Sequence, residues 1–332
     1  MKKVALLGAG NVGRAFARHL DETKAEHPYR ITAVADISGG IFRDDPDEIR
    51  RLLDCLERGL LIRDCTAAER RLEVPEFIEC LRAASIDVLV ECMPTNITDG
   101  RPALDYLRAV LRQGIPAVTV DKGPLVHGFS MLAAEARRAG VALAFTGTTG
   151  VRPPPGIAGR RIAEIQGVLN GTTNFILTRM LEDSIPFAAA LAEAQRQGVA
   201  EPDPSLDTGG WDTACKILIL ANRWMNAGAV LADVARAGIG PETEPLIREA
   251  RAAGRAVRLV GRARALPGGV SLGVAPQAVG PDSPFFSIAG TAKGAVFTTD
   301  EGGRFFSAGR SGRQEIARTI LDDVREVAGA QP

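Results

Sequence analysis

Short apolar runs alternate with amphipathic stretches through the first part of the chain. Such runs, bounded by glycine, proline or charged residues, are typical of strands buried in a parallel sheet. The stretches between them carry apolar residues at helical spacing, as in Ile49, Leu52, Leu53 and Leu56. This alternation predicts a parallel sheet covered by helices. The predicted strands are Val4–Leu7, Ile31–Ala35, Asp87–Cys92, Ala117–Val120 and Val141–Phe145, with a helix over Leu104–Gln113.

The later part of the chain predicts a second, mixed sheet. The apolar run Ile165–Leu169 predicts a strand, and Thr172 or Thr173 is expected to cap the helix after it. Residues 217–221 are apolar all round a helix, which is typical of a buried helix. Further strands are predicted at Ala256–Val260, at Val270–Val274, and in a hairpin of Ala295–Thr299 with Phe305–Phe306, followed by a last helix over Gln314–Val327 that returns to the first domain.

Composition narrows the class of protein. A length of 332 residues favours two domains, and 45% hydrophobic residues indicate a globular protein with a core. Lys plus Arg and Asp plus Glu both number 40, so charge gives no argument for nucleic acid or a membrane surface as partner. The five cysteines are scattered without a CxxC pair, which disfavours zinc and suits a reducing cytoplasm. We expect no signal peptide and no membrane-spanning segment.

A glycine motif follows the first predicted strand. The sequence GAGNVG at residues 8–13 leads directly into a predicted helix, which is the context of a dinucleotide-binding fingerprint. Glycines let the backbone approach a pyrophosphate, and the helix N-terminus favours its negative charge. Asp36 ends the second strand, where a carboxylate binds the adenosine ribose, and this favours NAD over NADP. Arg43 offers a competing phosphate site, although we interpret it as a solvated charge.

A second cluster of polar residues lies between residues 201 and 216. Asp212 and Lys216 are four residues apart, so they share one face of a helix. The apolar run that starts at Ile217 predicts that Lys216 lies at the edge of a core, beside a carboxylate that orients it. Glu201, Asp203 and Asp207 precede this pair in a loop rich in proline and glycine, where carboxylates could bind a substrate ammonium group.

Three segments together resemble one enzyme family. They are NGTTNFILTRM from residue 170, GVAEPDPSLDTGGWDTACK up to residue 216, and the GAGNVG motif, and together they resemble homoserine dehydrogenase. The resemblance implies a short form without the regulatory module of longer relatives. It implies an α/β protein with a doubly wound Rossmann-type dinucleotide domain over residues 1–145, with 307–332 packing back on it. Residues 146–306 would form an α/β catalytic and dimerisation domain with a mixed sheet.

The resemblance also implies roles for named residues. The reaction would be the NAD(P)-dependent interconversion of L-homoserine and L-aspartate 4-semialdehyde. Lys216 would exchange the proton with the substrate oxygen, and Asp212 would orient the reacting end. Lys122, in the turn DKGP, would assist from the side of the nicotinamide. The expected substrate-binding residues are Glu201, Asp207, Asp212 and Thr172. The expected partners are a small amino-acid substrate and a second copy of the chain, in a homodimer or a dimer of dimers.

The cofactor is expected to be NAD or NADP. A turn after the third large strand, MPTN, corresponds to a family turn that lies against the cofactor, and the segment Ser307–Gly312 is a weakened form of a family glycine turn. The residues expected to bind the cofactor are Gly8, Gly10, Asn11, Val12, Gly13, Asp36, Thr95, Asn96, Lys122 and Gly312.

The segment from residue 146 to 154 departs from the family pattern. Thr146 occupies the place of a usual glutamate, and Arg152 lies where the family has a glycine turn. In some relatives this loop supplies oxygens to a monovalent cation, so we expect no metal site here. Two alternatives follow from the departure: a related amino-acid dehydrogenase with another substrate, or a catalytically silent NAD(P)-binding protein.

Overall fold

The structure, a computed structural model, describes residues 1–66, 71–309 and 312–329. The chain forms two compact units. Unit 1 consists of Met1–Thr148 and Gly312–Pro332, and unit 2 of Thr149–Ser311. The division at 145/146 and 306/307 expected from the resemblance concerns functional domains and stays a prediction.

Unit 1 alternates strands and helices. Its strands are β1 (Lys2–Leu7), β2 (Tyr29–Asp36), β3 (Gly39–Phe42), β4 (Val88–Glu91), β5 (Ala117–Thr119) and β6 (Leu143–Ala144). Its helices are α1 (Asn11–Glu22), α2 (Pro46–Glu57), α3 (Ile62–Cys65), α4 (Val74–Cys80), α5 (Ala103–Arg112), α6 (Lys122–Ala139), α7 (Thr146–Thr149, whose last residue belongs to unit 2) and α13 (Arg313–Gly329).

The six strands of unit 1 form one sheet in the order β3-β2-β1-β4-β5-β6. All neighbours are parallel except β2 and β3, which form a hairpin. The chain leaves β1 in one direction and returns to β4 on its other side, so the strand order reverses between β1 and β4. Ligands of open α/β sheets bind at the carboxyl ends of the strands beside such a reversal. The C-terminal helix α13 contributes Ile320, Leu321 and Val324 to the core over this sheet, as predicted.

Close backbone contacts at this reversal explain two glycines of the GAGNVG motif. A Cβ atom on Gly8 would lie 2.6 Å from the carbonyl of Cys92, directly after β4. A Cβ on Gly13 would lie 2.0 Å from the carbonyl oxygen of Gly8. Both glycines are therefore required to pack the turn after β1 against β4 and against α1. Gly10 has no neighbour within 4 Å of such an atom, so its outer side is open.

Unit 2 is built around a second six-stranded sheet. Its strands are β7 (Ile162–Val168), β8 (Val234–Arg236), β9 (Ala256–Leu266), β10 (Gly269–Val279), β11 (Lys293–Thr299) and β12 (Arg304–Gly309). Its helices are α8 (Gly171–Glu182), α9 (Phe187–Arg196), α10 (Ser205–Thr208), α11 (Trp211–Trp224) and α12 (Glu244–Ala252), with 3₁₀ turns at Leu231–Asp233 and Pro241–Thr243.

The sheet of unit 2 is mixed, as predicted, in the order β12-β11-β7-β9-β10-β8. Only β8 and β10 pair in parallel. Helix α11 packs on β7, β9 and β10, and residues 213–222 of this helix are all buried. Its all-apolar run therefore faces the sheet on one side and neighbouring elements on the other.

Two expectations need correction. The strand predicted over Val141–Phe145 spans only Leu143–Ala144, because helix α7 begins at Thr146. The helix after β7 is capped neither by Thr172 nor by Thr173. Its N-cap is Asn170, whose Oδ1 accepts a hydrogen bond from the Thr173 amide at 2.7 Å. The interval 229–260 holds one α-helix, α12, as the expectation of a helix or two allows, with strand β8 and two 3₁₀ turns before it. The predicted hairpin of β11 and β12 is confirmed.

Asn170 gives a test of stability in unit 2. Replacement of Asn170 by Ala removes the helix cap, worth about 1 kcal/mol. It also removes the donor to two carboxylates, Asp207 at 2.6 Å and Asp212 at 2.8 Å, and unpaired buried acceptors cost about 1–3 kcal/mol. We expect urea unfolding of Asn170→Ala to show a loss of about 2–4 kcal/mol in free energy of unfolding. Both tryptophans, Trp211 and Trp224, lie in unit 2 and report its unfolding by fluorescence.

The control is Asp233→Ala, which removes an exposed hydrogen bond to the Val230 amide in the same unit. Its free energy of unfolding should change by about 0.5 kcal/mol or less. Equal losses in the two variants would contradict the role given to Asn170.

Candidate functional site

The side chain of Asn170 joins the end of β7 to helix α11. Its Nδ2 donates to Asp207 Oδ1 at 2.6 Å and to Asp212 Oδ2 at 2.8 Å. Its Oδ1 accepts hydrogen bonds from the amide and the hydroxyl of Thr173. Both donors and both acceptor positions of the carboxamide are therefore used. Asn170 is buried, with 5% of its surface exposed, so this arrangement is held inside the protein.

Asp212 and Lys216 form the predicted pair on one face of α11. Lys216 Nζ lies 2.6 Å from Asp212 Oδ2, and both side chains are 11% exposed. The ammonium also donates to the backbone carbonyl of Leu169 at 3.0 Å. An ammonium has three N–H groups, and these two acceptors account for two of them. The third N–H is therefore available to a substrate oxygen.

The N-terminus of α11 is set by a turn of two glycines. Gly210 is the N-cap and has φ of 78°, a left-handed conformation that favours glycine. Arg236, on β8, donates to the carbonyl oxygen of Gly209 and lies over the ring of Trp211, 3.7 Å from its centroid. This guanidinium fixes the turn from which Asp212 follows. Arg236 was not predicted as a site residue, because nothing in its local sequence connects it to residues 209–212.

The pKa of Asp207 is raised above its ordinary value. Burial is the main cause, and the nearby negative charge of Asp212 adds to it. Hydrogen bonding by Asn170, the nearby Thr172 hydroxyl and the charge of Lys216 oppose the rise. Two carboxylates and one ammonium thus share a small, largely dehydrated volume, where charge interactions are stronger than in water.

Of the other predicted substrate residues, Thr172 lies beside this cluster, next to Asp207, and Glu201 is exposed. Thr172 donates its hydroxyl to the Val199 carbonyl at 3.0 Å, while lying near Asp207. Glu201 is exposed, and its described contact is a backbone one, with its carbonyl accepting from Gln195 at 3.3 Å. Asp203 holds a local turn: the Ser205 side chain first, and then the Ser205 amide at 3.0 Å, lower the pKa of its carboxyl. Only Asp207 and Asp212 are therefore joined to Lys216 through Asn170.

Unit 1 offers a cradle for a phosphate group at the N-terminus of α1. The N-cap of α1 is Gly10, which has no side chain to bind the first amides of the helix. Asn11 and Val12 are the first two residues of the helix, so their amides have no acceptor within it, and a helix N-terminus attracts anions. A pyrophosphate fits this place because no Cβ fills it. Gly312 lies just before α13 with φ of 139°, and residues 310–311 of the predicted glycine turn lie outside the described residues.

Asp36 ends β2, as predicted, but both oxygens of its carboxylate have partners. Oδ1 accepts from the amide and hydroxyl of Ser38, at 2.7 and 2.6 Å, and Oδ2 accepts from the Ile62 amide at 2.8 Å. A carboxylate has about four acceptor positions, so a ribose hydroxyl could still bind beside these contacts. Arg43 is paired with Glu48 at 3.2 Å.

The turns after β4 and β5 carry the remaining predicted cofactor residues. The side chain of Asn96 holds its own turn, with contacts to Thr98, Asp99 and Arg101, whereas Thr95 is exposed. Lys122 is the first residue of α6, whose N-cap is Asp121. Both turns lie at the carboxyl edge of the sheet, which is the expected place for a ligand.

The divergent segment 146–154 contains two substitutions of the family pattern. The amide of Thr146 donates to Asp323 on α13 at 2.8 Å, within unit 1. In unit 2, the carbonyl of Arg152 accepts the Ser307 hydroxyl at 2.5 Å. Among the described residues, no group of three or more His, Cys, Asp or Glu side chains is arranged to hold a metal ion. No helix in that part of the chain is both long and apolar enough to cross a membrane.

Comparisons with known proteins identify the family of this chain. Residues 8–146 match the family model "Homoserine dehydrogenase, NAD binding domain", and residues 155–324 match the model "Homoserine dehydrogenase". The NAD(+)-dependent homoserine dehydrogenase of Pseudomonas canavaninivorans is 32% identical, over 97% of this chain and 95% of that protein.

Two solved structures are similar over nearly their whole lengths. A protein provisionally identified as a homoserine dehydrogenase from Archaeoglobus fulgidus has a TM-score of 0.84 and 34% identity, with 99% of each chain covered. A hyperthermophilic archaeal homoserine dehydrogenase in complex with NADPH has a TM-score of 0.81 and 26% identity, covering 100% of this chain and 99% of that one. The chain described here therefore belongs to the homoserine dehydrogenase family.

Proposed function

We propose that the Asp212–Lys216 pair performs the proton transfer in the reaction of this family. That reaction is the NAD(P)-dependent interconversion of L-homoserine and L-aspartate 4-semialdehyde in amino-acid biosynthesis. The observation that carries the proposal is the buried Lys216 ammonium, 2.6 Å from Asp212 and 3.0 Å from the Leu169 carbonyl, with a further N–H to donate.

Lys216 would act as the general acid and base. In the direction of aldehyde reduction, its ammonium donates a proton to the oxygen that becomes the hydroxyl group. In the direction of oxidation, its neutral amine takes that proton back. Asp212 and Leu169 hold Nζ by two hydrogen bonds, so the third N–H has a fixed direction. Such a fixed donor stabilises charge on the oxygen as it develops, without reorganising at the moment of reaction.

The carboxylates around Asn170 would receive the polar end of the amino acid. Asp207 is half-buried and hydrogen-bonded to Asn170, so it can accept from a substrate ammonium group in a site of low polarity. Glu201 is exposed, so it would reach the substrate only if its loop moves. We therefore assign it to the solvent-facing side of the proposed substrate site. Thr172 would support the backbone at the head of α8 rather than contact the substrate, because its hydroxyl is donated to Val199.

The nicotinamide cofactor supplies hydride transfer when it is bound. Gly10, Asn11 and Val12 would hold its pyrophosphate at the head of α1, and Gly8 and Gly13 keep this turn in place. Asp36 would accept from the adenosine ribose. Thr95, Asn96 and Gly312 would line the same edge of the sheet, and Lys122 would approach from the head of α6.

We propose further that the protein works as a homodimer or a dimer of dimers in the cytoplasm. Along β7 and β9, polar side chains such as Glu164, Gln166 and Arg262 remain partly or fully exposed. Glu164 and Arg262 are paired at 2.6 Å, and a polar sheet face of this kind can be buried against a second copy. Light scattering of the purified protein should give at least twice the mass of one chain, and the mass of a single chain would refute this assembly.

The central test measures turnover of L-homoserine. Reduction of NAD⁺ or NADP⁺ should be followed by absorbance in the native protein, in Lys216→Met and in Arg179→Ala. Methionine keeps the apolar stem of the lysine but cannot transfer a proton, so kcat should fall by about 10²–10⁴-fold. Affinity for the cofactor, measured by fluorescence titration, should stay nearly unchanged, because the proposed pyrophosphate cradle belongs to unit 1.

Arg179→Ala is the matched control. Arg179 also forms an i,i+4 ion pair, with Asp183 at 2.9 Å, but on a half-exposed surface of the same unit. Its loss should leave kcat unchanged. If Lys216→Met keeps most of its kcat, the proton donor lies elsewhere. If the native protein turns over another amino alcohol but not L-homoserine, the substrate assignment fails.

The choice between cofactors can be tested at Asp36. Asparagine retains an oxygen for the Ser38 amide but loses the charge, so Asp36→Asn preserves the local turn better than alanine does. Hydrogen bonds to a charged group contribute about 1.5–3 kcal/mol, so the Kd for NAD⁺ should rise about 10- to 100-fold. The Kd for NADP⁺ should fall, because a carboxylate repels its 2′-phosphate and asparagine removes that repulsion. A native protein that clearly prefers NADP⁺ would show that Asp36 does not face the ribose.

A further inference from the structure

A buried carboxyl group that takes no part in the proposed proton transfer lies directly beneath the cofactor edge of unit 1. Glu91 is the last residue of β4 and is fully buried. Its Oε1 accepts a hydrogen bond from the Met93 amide at 2.6 Å, and its Oε2 accepts one from the Thr119 hydroxyl. Met93 opens the turn that carries Thr95 and Asn96. Glu91 thus holds the start of one predicted cofactor turn.

The same side chain is connected to the second turn. Thr119 lies opposite Glu91 in the register of β4 and β5, and its hydroxyl oxygen also accepts from the Asp121 amide at 3.0 Å. Asp121 caps α6 by accepting from the Gly123 amide at 2.8 Å, and Lys122 lies between them. A continuous path of hydrogen bonds therefore runs from Met93 through Glu91 to the head of α6.

The two turns also touch each other directly. A Cβ atom on Gly123 would lie 2.3 Å from the Asn96 carbonyl oxygen. A Cβ on Gly100 would lie 2.7 Å from the Gly123 carbonyl oxygen. Because the two turns pack this closely, one cannot move without displacing the other. A change at Glu91 therefore alters the positions of both turns.

Burial and a neighbouring charge raise the pKa of the Glu91 carboxyl. Burial raises the pKa of its carboxyl to about 8, the charge of Asp121 adds to the rise, and the bonds from Thr119 and Met93 oppose it. The pKa of Asp121 is itself raised, mainly by burial, while Lys122 and the nearby Thr95 hydroxyl oppose that rise. Other titratable groups near this edge are the buried Cys92, whose pKa is raised, Asp323 on α13, and His127, which contacts the Ile97 carbonyl.

We propose that Glu91, in its neutral form, is the positioning residue that holds the turns after β4 and β5 in the geometry that binds the cofactor. The inference rests on the proposed function, which assigns those turns to the cofactor. Ionisation would place a second negative charge beside Asp121 in a buried volume, where desolvation and repulsion between the two carboxylates both oppose it. Repulsion between the Glu91 and Asp121 carboxylates would then shift the N-terminus of α6, which Asp121 caps, and affinity for the cofactor would fall.

The protonation of Glu91 also makes the stability of the fold depend on pH, in a direction that follows from its raised pKa. An unfolded glutamate releases its proton near its ordinary value of 4.5, whereas the folded protein keeps that proton up to about pH 8. The folded state therefore binds more protons between these values, and the contribution of Glu91 to stability falls as pH rises through this window. Glu91→Gln is always neutral, so it avoids this loss and should be relatively more stable above pH 8.

The experiment measures NADH binding by fluorescence titration from about pH 7.5 upward, where an ordinary histidine is already neutral. For the native protein, the Kd should rise above pH 8 by up to about tenfold per pH unit, as expected when one proton must be retained. The Kd of Glu91→Gln should be close to the native value at pH 7.5 and stay flat. Thr119→Val breaks the path to Asp121 and should weaken binding several-fold throughout the range.

The matched control is Glu135→Gln, another buried carboxylate of unit 1. Arg112, at 2.7 Å, and Arg138 hold the pKa of Glu135 below its ordinary value, so it is ionised over the whole range. This variant should keep the native pH dependence. The proposal is overturned if Glu91→Gln retains the rise in Kd, if the native Kd is flat, or if folded Glu91→Gln binds poorly at pH 7.5. Because no turnover is measured, these outcomes are independent of Lys216, and a native protein that binds no NADH would instead refute the proposed cofactor site.

Discussion

The carboxamide of Asn170 is the group on which the proposed catalytic region of unit 2 depends. It caps helix α8 and donates to Asp207 and to Asp212. Asp212 then orients Lys216, whose ammonium is also bound by the carbonyl of Leu169, the residue just before Asn170. One short segment at the end of β7 therefore supports both sides of the lysine. A buried ammonium and two carboxylates are tolerable only with such partners, because unpaired buried charges are very costly.

The two units use polar groups in a similar way at the ends of their strands. In unit 2, Asn170 follows β7 and binds one carboxylate of helix α10 and one of helix α11. In unit 1, Glu91 ends β4 and binds the Thr119 hydroxyl of the neighbouring strand. In both places, a buried side chain at a strand end fixes a turn that the proposed chemistry needs. The sheets provide rigid frames, and these side chains transfer that rigidity to the loops.

Local spacing made several features predictable from the sequence. Asp212 and Lys216 are one helical turn apart, and the apolar run after them indicates burial, so their pairing follows from periodicity alone. The alternation of strands and helices, the hairpin of β11 and β12, and the family itself could also be predicted. The other contacts join residues far apart in the chain. Asn170 meets Asp207 and Asp212, and Glu91 meets Thr119, only because tertiary structure brings them together.

Local signals were also overridden at particular positions. Thr172 and Thr173 are good cap residues, but Asn170 precedes them and is at least as strongly preferred, so the helix starts earlier. Asp36 has the position of a ribose ligand, yet it also binds Ser38 and Ile62, a structural role that its sequence position does not reveal. Gly8 belongs to a nucleotide-binding motif, but the contact that requires glycine there is close packing against the backbone carbonyl of Cys92.

The central claim is that Asn170, Asp212 and Lys216 act as one unit, and a double-mutant cycle tests it most directly. The kcat for L-homoserine would be measured in Asn170→Ala, in Lys216→Met and in the double variant. If Asn170 acts by holding Asp212 and Lys216, its loss should have little further effect once Lys216 is gone, and the two effects should be strongly non-additive. Fully additive effects on kcat would contradict the account, because Asn170 and Lys216 would then act independently.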